Sequence, residues 1–377
     1  MKSYGRSTVS EFLGDQIVFR NLIPCDDRLP RLADLRDKLS FPKSFMPRKS
    51  TPEYGAVITE IIRAAHRINS PGTPLERIIY MGDTRMNDGQ AFLNICNASN
   101  CEGVAFIGAD RLGALTIEQQ ILDSKTLFIA SRWNATDPFE TFLEKRNFTI
   151  DEQTAILFDL DKTILGARGR NDRVIDAKRL EAARDTLQDA LGSDYNPKVF
   201  QDAYHELNQA EFHYFTADNQ DYLVYIGLIV SSGFITLPDL ITALKAEKYI
   251  RFQDFLIYVE ERKVSLPKKV RDIHASVLEH FQDGDPTPFK AFRYNEFKRT
   301  VQHMGHLADD SPVEQILAEE IVITAEIRDF ANRWKAQGAM LFGLSDKPDE
   351  AILPTQELTA QGFLPIHQTP THVIGEA

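Results

Sequence analysis

The stretch Thr154-Ala155-Ile156-Leu157-Phe158-Asp159-Leu160-Asp161-Lys162-Thr163-Ile164-Leu165 decides how this chain is read. Four apolar residues, Ala155 to Phe158, run straight into Asp159. That is the pattern of a buried parallel strand stopping at a polar edge. Asp161 and Thr163 follow at alternate positions. An open parallel sheet binds ligands in the crevice past the carboxyl ends of its strands. The strand thus delivers an acid, a second acid and a hydroxyl to the place where a ligand sits. An acidic turn after a strand spells the same letters, because Asp is common in turns. D-x-D-x-T therefore needs support from the rest of the chain.

Upstream, Arg77-Ile78-Ile79-Tyr80-Met81 is a second buried strand, delivering Gly82-Asp83-Thr84-Arg85-Met86-Asn87-Asp88. A helix follows through Ala91, Phe92 and Ile95. Val104–Ile107 and Thr126–Ala130 read as further strands, and Pro138–Lys145 as a short helix. Strands alternating with helices predict a parallel sheet. Nearer the start, Gln16–Leu22 offers a short strand and Asp26–Pro47 a short helix between loops. Ser50 or Thr51 can cap a helix whose first turn holds Pro52 and Glu53. Val57, Ile58, Ile61, Ile62 and Ala65 form its apolar stripe, and Asn69 to Pro74 ends it.

Downstream, Gly166–Asp172 is a basic loop containing Arg168 and Arg170. From Val174 to Gln337 the period is helical throughout, with about eight segments. Ile175, Leu180, Ala183, Leu187 and Leu191 line one helix, stopped by Gly192. The last is expected to start at a capping box, Ser311 to Glu314, and to end at Gly338. Ala339–Leu344 is again a buried strand, running into Ser345-Asp346-Lys347, and a helix is expected from Glu350 to about Gln361. The tail, Gly362–Ala377, carries His367 and His372 and offers a short strand at His372–Ile374. The expected fold is α/β, a doubly wound parallel sheet. Its core occupies 1–165 and 339–377, and an all-helical domain, 166–338, is inserted between.

Composition sets the outer limits. The chain has 377 residues, 43% hydrophobic and 26% charged, enough for two units with ample core. A net charge of −12 argues against nucleic-acid and anionic-membrane partners, which both want basic surface. Cys25, Cys96 and Cys101 are sparse and odd in number, which argues against a disulfide scaffold and has no zinc spacing. No signal-peptide core and no run of about 20 apolar residues is found. A cytoplasmic protein is expected; oligomeric state is not legible.

The D-x-D-x-T strand resembles the first motif of the haloacid-dehalogenase-like (HAD) hydrolases. Three more motifs of that family have counterparts here. Ser345 is similar to the second, a hydroxyl that holds phosphate. Lys49, in Pro47-Arg48-Lys49-Ser50-Thr51-Pro52-Glu53, resembles the third, a basic residue; Arg48, Lys43 and Lys347 are its rivals. Gly82-Asp83 with Asp88 resembles the fourth, G-D-x-x-x-x-D, which supplies metal-binding acids. The family runs one, two, three, four, whereas this chain runs three, four, one, two. That order is a rotation, as circular permutation produces.

The resemblance implies a Mg²⁺-dependent phosphatase acting on a small phosphorylated metabolite through an aspartyl-phosphate. Asp159 would be the nucleophile and Asp161 the general acid and base. Asp159, Asp83, Asp88 and the Asp161 carbonyl would hold the metal. Lys49, Ser345, Thr163 and Arg168 would meet the substrate, and the helical insert would be a cap. The second acid favours phosphoryl over halide chemistry, since the family's dehalogenases lack it. Phosphoryl transfer as in a phosphomutase, and a non-catalytic binding protein that kept the fold, are the alternatives. The run Phe212, Tyr214, Phe215, Tyr222 and Tyr225 is expected to be core of the insert rather than a pocket. His367 and His372 are expected to be tail residues rather than ligands.

Overall fold

Strands that read as unbroken apolar runs need cover on both faces, and a computed structural model of the chain supplies it. The structure describes all residues except Ser44, Asp123, Ser124 and Ala377. Its strands are β1 (Lys2–Ser7), β2 (Ile17–Val18), β3 (Arg77–Gly82), β4 (Glu102–Gly108), β5 (Ile117–Leu122), β6 (Lys125–Ala130), β7 (Thr154–Asp159), β8 (Ile323–Thr324), β9 (Met340–Leu344) and β10 (Thr371–Gly375). Seven of them form one sheet in the order β2-β9-β7-β3-β4-β6-β5. All neighbours are parallel except β5 and β6, which form an antiparallel hairpin. The fold is therefore α/β with a mostly parallel, Rossmann-like sheet.

Every residue of β7 is buried. The helices Pro52–Asn69 and Asn87–Ser99 cover one face, where Val57, Ile61, Phe92 and Ile95 meet Ile78, Tyr80, Ala155 and Leu157. An aromatic cluster backs Phe106 of β4 and Phe128 of β6, joining Phe139, Phe330 and Trp334; the Phe139 and Trp334 rings lie 6.1 Å apart. Thr51 caps the first helix, its Oγ1 accepting from the Tyr54 N–H.

The topology fixes where a ligand can sit. From β3 the chain passes through the helix Asn87–Ser99 to β4 on one side. From β7 it goes to β9 on the other. The two connections diverge, so the gap between the carboxyl ends of β3 and β7 is a topological switch point, where such sheets bind ligands. Register aligns those ends, Met81 opposite Phe158 and Asp159 opposite Leu344.

The remaining three strands make a small sheet, β1-β10-β8, in which Lys2 pairs with Gly375. The tail is thus a buried central strand and not a loose end. Two further expectations need correction. The helix expected from Ser311 to Gly338 is two helices, Val313–Glu319 and Ala325–Ala336, with β8 between them. The compact helical unit is Lys178–Arg299 and not 166–338; residues 300–377 group with Met1–Ala177.

The Lys178–Arg299 unit has its own core, including Leu187, Phe200, Phe215, Tyr225 and Phe255. Phe212 and Tyr222 are buried there, whereas Tyr214 is exposed. Asp221, Arg293 and Glu296 form a buried ion network in it, with Arg293 Nη1 2.6 Å from Glu296 Oε2. Among the described residues no helix is long and apolar enough to cross a membrane.

Candidate functional site

Asp159 ends β7 because the apolar run stops there, and the residue is 5% exposed. Lys49 comes from the loop just before the helix Pro52–Asn69, and is also buried. Its Nζ donates to Asp159 Oδ1 and to Asp88 Oδ1, both at 2.6 Å. Asp88 lies in the first turn of the helix Asn87–Ser99, where the helix dipole favours an anion. Its Oδ2 accepts from the Asp83 N–H at 3.0 Å, the Thr84 N–H at 2.8 Å and Thr84 Oγ1 at 2.9 Å. Tyr80 OH donates to Oδ1 at 3.3 Å. Gly82 is required for this approach, since a Cβ there would lie 2.5 Å from Asp88 Cβ.

Asp83, Asp88 and Asp159 each offer a carboxylate oxygen, all within 4.8 Å of one another. Residues separated by up to 110 positions in sequence thus meet at the switch point. Both oxygens of Asp88 are engaged by protein donors. Among the described residues, the hydrogen-bond partner of Asp159 Oδ2 is the Thr163 hydroxyl, at 3.5 Å. Asp83 is paired through Oδ2 with Arg168. Asp159 and Asp83 therefore keep open lone pairs, and Asp88 holds Lys49 and the Asp83–Thr84 backbone in place. The three carboxylates, with no sulfur or imidazole among them, form a group that could hold a metal ion.

No protein-family model, curated protein or solved structure matches this chain.

The other sequence-derived candidates fall into two groups. Ser345 stands one residue past β9, is buried, and its Oγ accepts from the Lys347 N–H at 3.1 Å. Asp161 is partly exposed, with Lys347 Nζ 3.2 Å from its Oδ1. These two flank the Asp159 strand end. Of the basic residues weighed against Lys49, Arg48 and Lys43 are exposed, and Lys347 lies beside Asp161. Thr163, Arg168 and Arg170 already have partners within the protein. Thr163 is fully buried, and its hydroxyl lies 3.5 Å from Asp159 Oδ2. Arg168 is engaged by Asp83. Arg170 is buried between Asp110 at 2.7 Å and Glu326 at 2.8 Å and serves the fold. Its neighbour Gly169, with φ +78°, passes so close to the Asp110 carbonyl that a Cβ would overlap it.

The loop after β7 is held by its own backbone. Leu160 N–H donates to the Leu344 carbonyl at 3.0 Å, Lys162 N–H to the Leu165 carbonyl at 2.7 Å, and Leu165 N–H to the Leu160 carbonyl at 2.9 Å. Lys162 takes a left-handed conformation, φ +64°, to close it. Asp161 is thus presented by a rigid turn.

Electrostatically, three acids face two bases. Burial raises Asp159 well above the ordinary carboxylate range, and the attraction of Lys49 does not fully offset it. Burial and the Asp88 charge push Asp83 up to about 7, against the pull of Arg168. Asp88 is also penalised by burial, but Lys49 and its hydrogen bonds bring it down to about 2. Lys49 stays charged, the two anions outweighing its desolvation. A surplus of buried negative charge is an arrangement that a divalent cation would neutralise.

His367 and His372 are buried rather than solvated. His372 Nδ1 lies 2.7 Å from Glu320 Oε2. His367 lines an apolar pocket together with Asp161, Ser345 and Lys347. Sequence reading set it aside because a histidine among prolines and threonines looks like a tail.

Proposed function

We propose that this protein is a Mg²⁺-dependent, HAD-like phosphatase with a permuted motif order, hydrolysing a small phosphorylated metabolite. The observation that carries the reading is Lys49 bridging Asp159 and Asp88 at 2.6 Å beside Asp83, at the switch point of a parallel sheet. Hydrolysis of a phosphate monoester asks a catalyst for around 20 kcal/mol of barrier lowering. A carboxylate nucleophile divides that displacement into two steps.

Asp159 Oδ2, the oxygen not held by Lys49, attacks phosphorus as the ester P–O bond breaks. Asp161 gives its proton to the departing alkoxide. In the second step Asp161 takes a proton from water, whose oxygen attacks phosphorus and frees Asp159 as phosphate leaves. Lys49 offsets charge on the nucleophile and on the transferring oxygens, and Ser345 donates a hydrogen bond to one of them. Asp159 and Asp83, with the Asp161 carbonyl, would hold the cation, whose charge lets an anionic nucleophile meet an anionic phosphate.

Turnover of 4-nitrophenyl phosphate tests the reading. Chelation should abolish it, Mg²⁺ should restore it, and Asp159→Asn should remove it in folded protein. Undiminished turnover by Asp159→Asn would rule the proposal out.

A further inference from the structure

We infer that Arg48, Arg85 and Arg111 form an anion-binding rim beside the acidic centre, and that the substrate is a small bisphosphate whose second phosphate they hold. This substrate class rests on the phosphatase reading of the same site.

The three arginines come from three loops that meet at the site. Arg48 directly precedes Lys49, whose Nζ holds Asp159 and Asp88. Arg85 directly follows Thr84, whose N–H and hydroxyl both donate to Asp88 Oδ2, at 2.8 and 2.9 Å. Arg111 follows Asp110, whose N–H donates to the Arg168 carbonyl at 2.9 Å, and the Arg168 guanidinium pairs with Asp83. Each arginine is thus one residue from a position bonded to the acidic centre or to Arg168. The loops of Arg85 and Arg111 also leave adjacent parallel strands, with Gly82 of β3 opposite Ile107 of β4. Such strands lie about 4.8 Å apart.

Their charge is uncommitted. All three are exposed, and among the described residues none of their side chains has a hydrogen bond or an ion pair. Acids are in excess in this chain, 55 against 43 basic residues, yet none stands against these three. Arg168 and Arg170, on the loop after β7, are by contrast both engaged by carboxylates. The backbone that carries the rim is anchored. Thr51 N–H donates to the Arg48 carbonyl at 2.8 Å, and Arg111 N–H donates to the Ser131 carbonyl at 3.0 Å. Charge at the centre says what the rim is for. At full ionisation Asp83, Asp88 and Asp159 carry three negative charges, and Lys49 and Arg168 two positive ones. A divalent cation brings that sum to plus one, and a bound phosphate dianion returns it to minus one. A second dianion is then repelled by the centre unless it meets further cations, and the rim supplies three. One guanidinium satisfies a carboxylate in a forked pair, whereas three together match a phosphate dianion.

Two measurements test this. The first needs no turnover. Alkane-α,ω-bisphosphonates of increasing chain length are titrated into the protein in saturating Mg²⁺ by calorimetry, beside alkyl monophosphonates of the same lengths. At least one bisphosphonate should bind about tenfold or more tightly than its monophosphonate. The advantage should shrink as salt is raised, because the rim is exposed. Replacing all three arginines by glutamine should abolish it, whereas Arg85→Lys, which keeps the charge, should retain more of it than Arg85→Gln. All three positions are exposed, so these variants leave the core untouched. In the second, kcat/KM for phosphate release is compared for alkanediol bisphosphates and alkyl monophosphates. The bisphosphate should be preferred through a lower KM, and the preference should fall with the same substitutions. Equal binding of bis- and monophosphonates at every length, an advantage that survives loss of all three arginines, or bisphosphates turned over no better than monoesters would each overturn the inference. No turnover of any ester, with the binding advantage and its dependence on the arginines intact, would overturn the phosphatase reading and leave the anion site standing.

Discussion

Metal-free protein should lose stability as pH rises from 5.5 to 7, and Asp83 should account for much of the loss. Its carboxyl has an ordinary pKa of 3.8 in the unfolded chain and is pushed up to about 7 in the fold. Between those values the folded state keeps a proton that the unfolded chain has released. Folding is therefore favoured at low pH, and the advantage disappears as pH climbs through the folded value. One pKa unit is worth about 1.4 kcal/mol, so the 1.5 units from pH 5.5 to 7 amount to about 2 kcal/mol, with a plateau above. Asp159 shifts in the same direction and adds to the slope; Asp88 titrates near 2 and does not contribute in this window. The assay is urea unfolding in EDTA at several pH values, read by tryptophan fluorescence. The chain has two tryptophans. Trp133 and Trp334 are both buried in the unit that carries the acids, so the signal does not follow the unfolding of Lys178–Arg299. Asp83→Asn should reduce the slope by about 2 kcal/mol over the window. Stability that holds level or rises with pH in the parent, or an unchanged slope in Asp83→Asn, would refute this electrostatic account.

Four other outcomes follow from the same geometry. Lys49→Met leaves two buried carboxylates without their shared cation and should cost about 3–5 kcal/mol in EDTA, with kcat down at least ~100-fold by phosphate release. Gly82→Ala drives a methyl into Asp88 and should cost about 1–3 kcal/mol in urea unfolding, with weaker Mg²⁺ binding by calorimetry. Asp161→Asn should give a burst of nitrophenolate and accumulate labelled phosphoenzyme, because a good leaving group needs no acid while the second step still needs the base. Asp159→Asn should give neither burst nor label, so a labelled Asp159→Asn protein would reverse the two roles.

Much of the main sheet could be read in advance because buried parallel strands are written as unbroken apolar runs, as in Ile78–Met81 and Ala155–Phe158. The strands that escaped reading lack that signature. β5, Ile-Glu-Gln-Gln-Ile-Leu, is a largely exposed edge strand, and β1, Lys-Ser-Tyr-Gly-Arg-Ser, has no apolar face. β8 is two residues long, too short for any period, and its loss fused two helices into one. At the candidate site, Asp83, Asp88, Asp159 and Lys49 were legible as letters at strand and helix ends. The partners of Arg168, Arg170 and His367 were not, because those contacts come from chain segments far away. Arg170 meets Glu326 across 156 positions.

The position of β9 has a consequence during synthesis. β7 ends at Asp159, and the strand that covers its far edge begins at Met340. A ribosome adding 5–20 residues per second needs roughly 10–40 s to make the intervening chain. For that interval the strand bearing Asp159 has β3 on one side and bare N–H and C=O groups on the other. Slowing translation across the helical insert should raise the demand for chaperones, whereas slowing it before Thr154 should not.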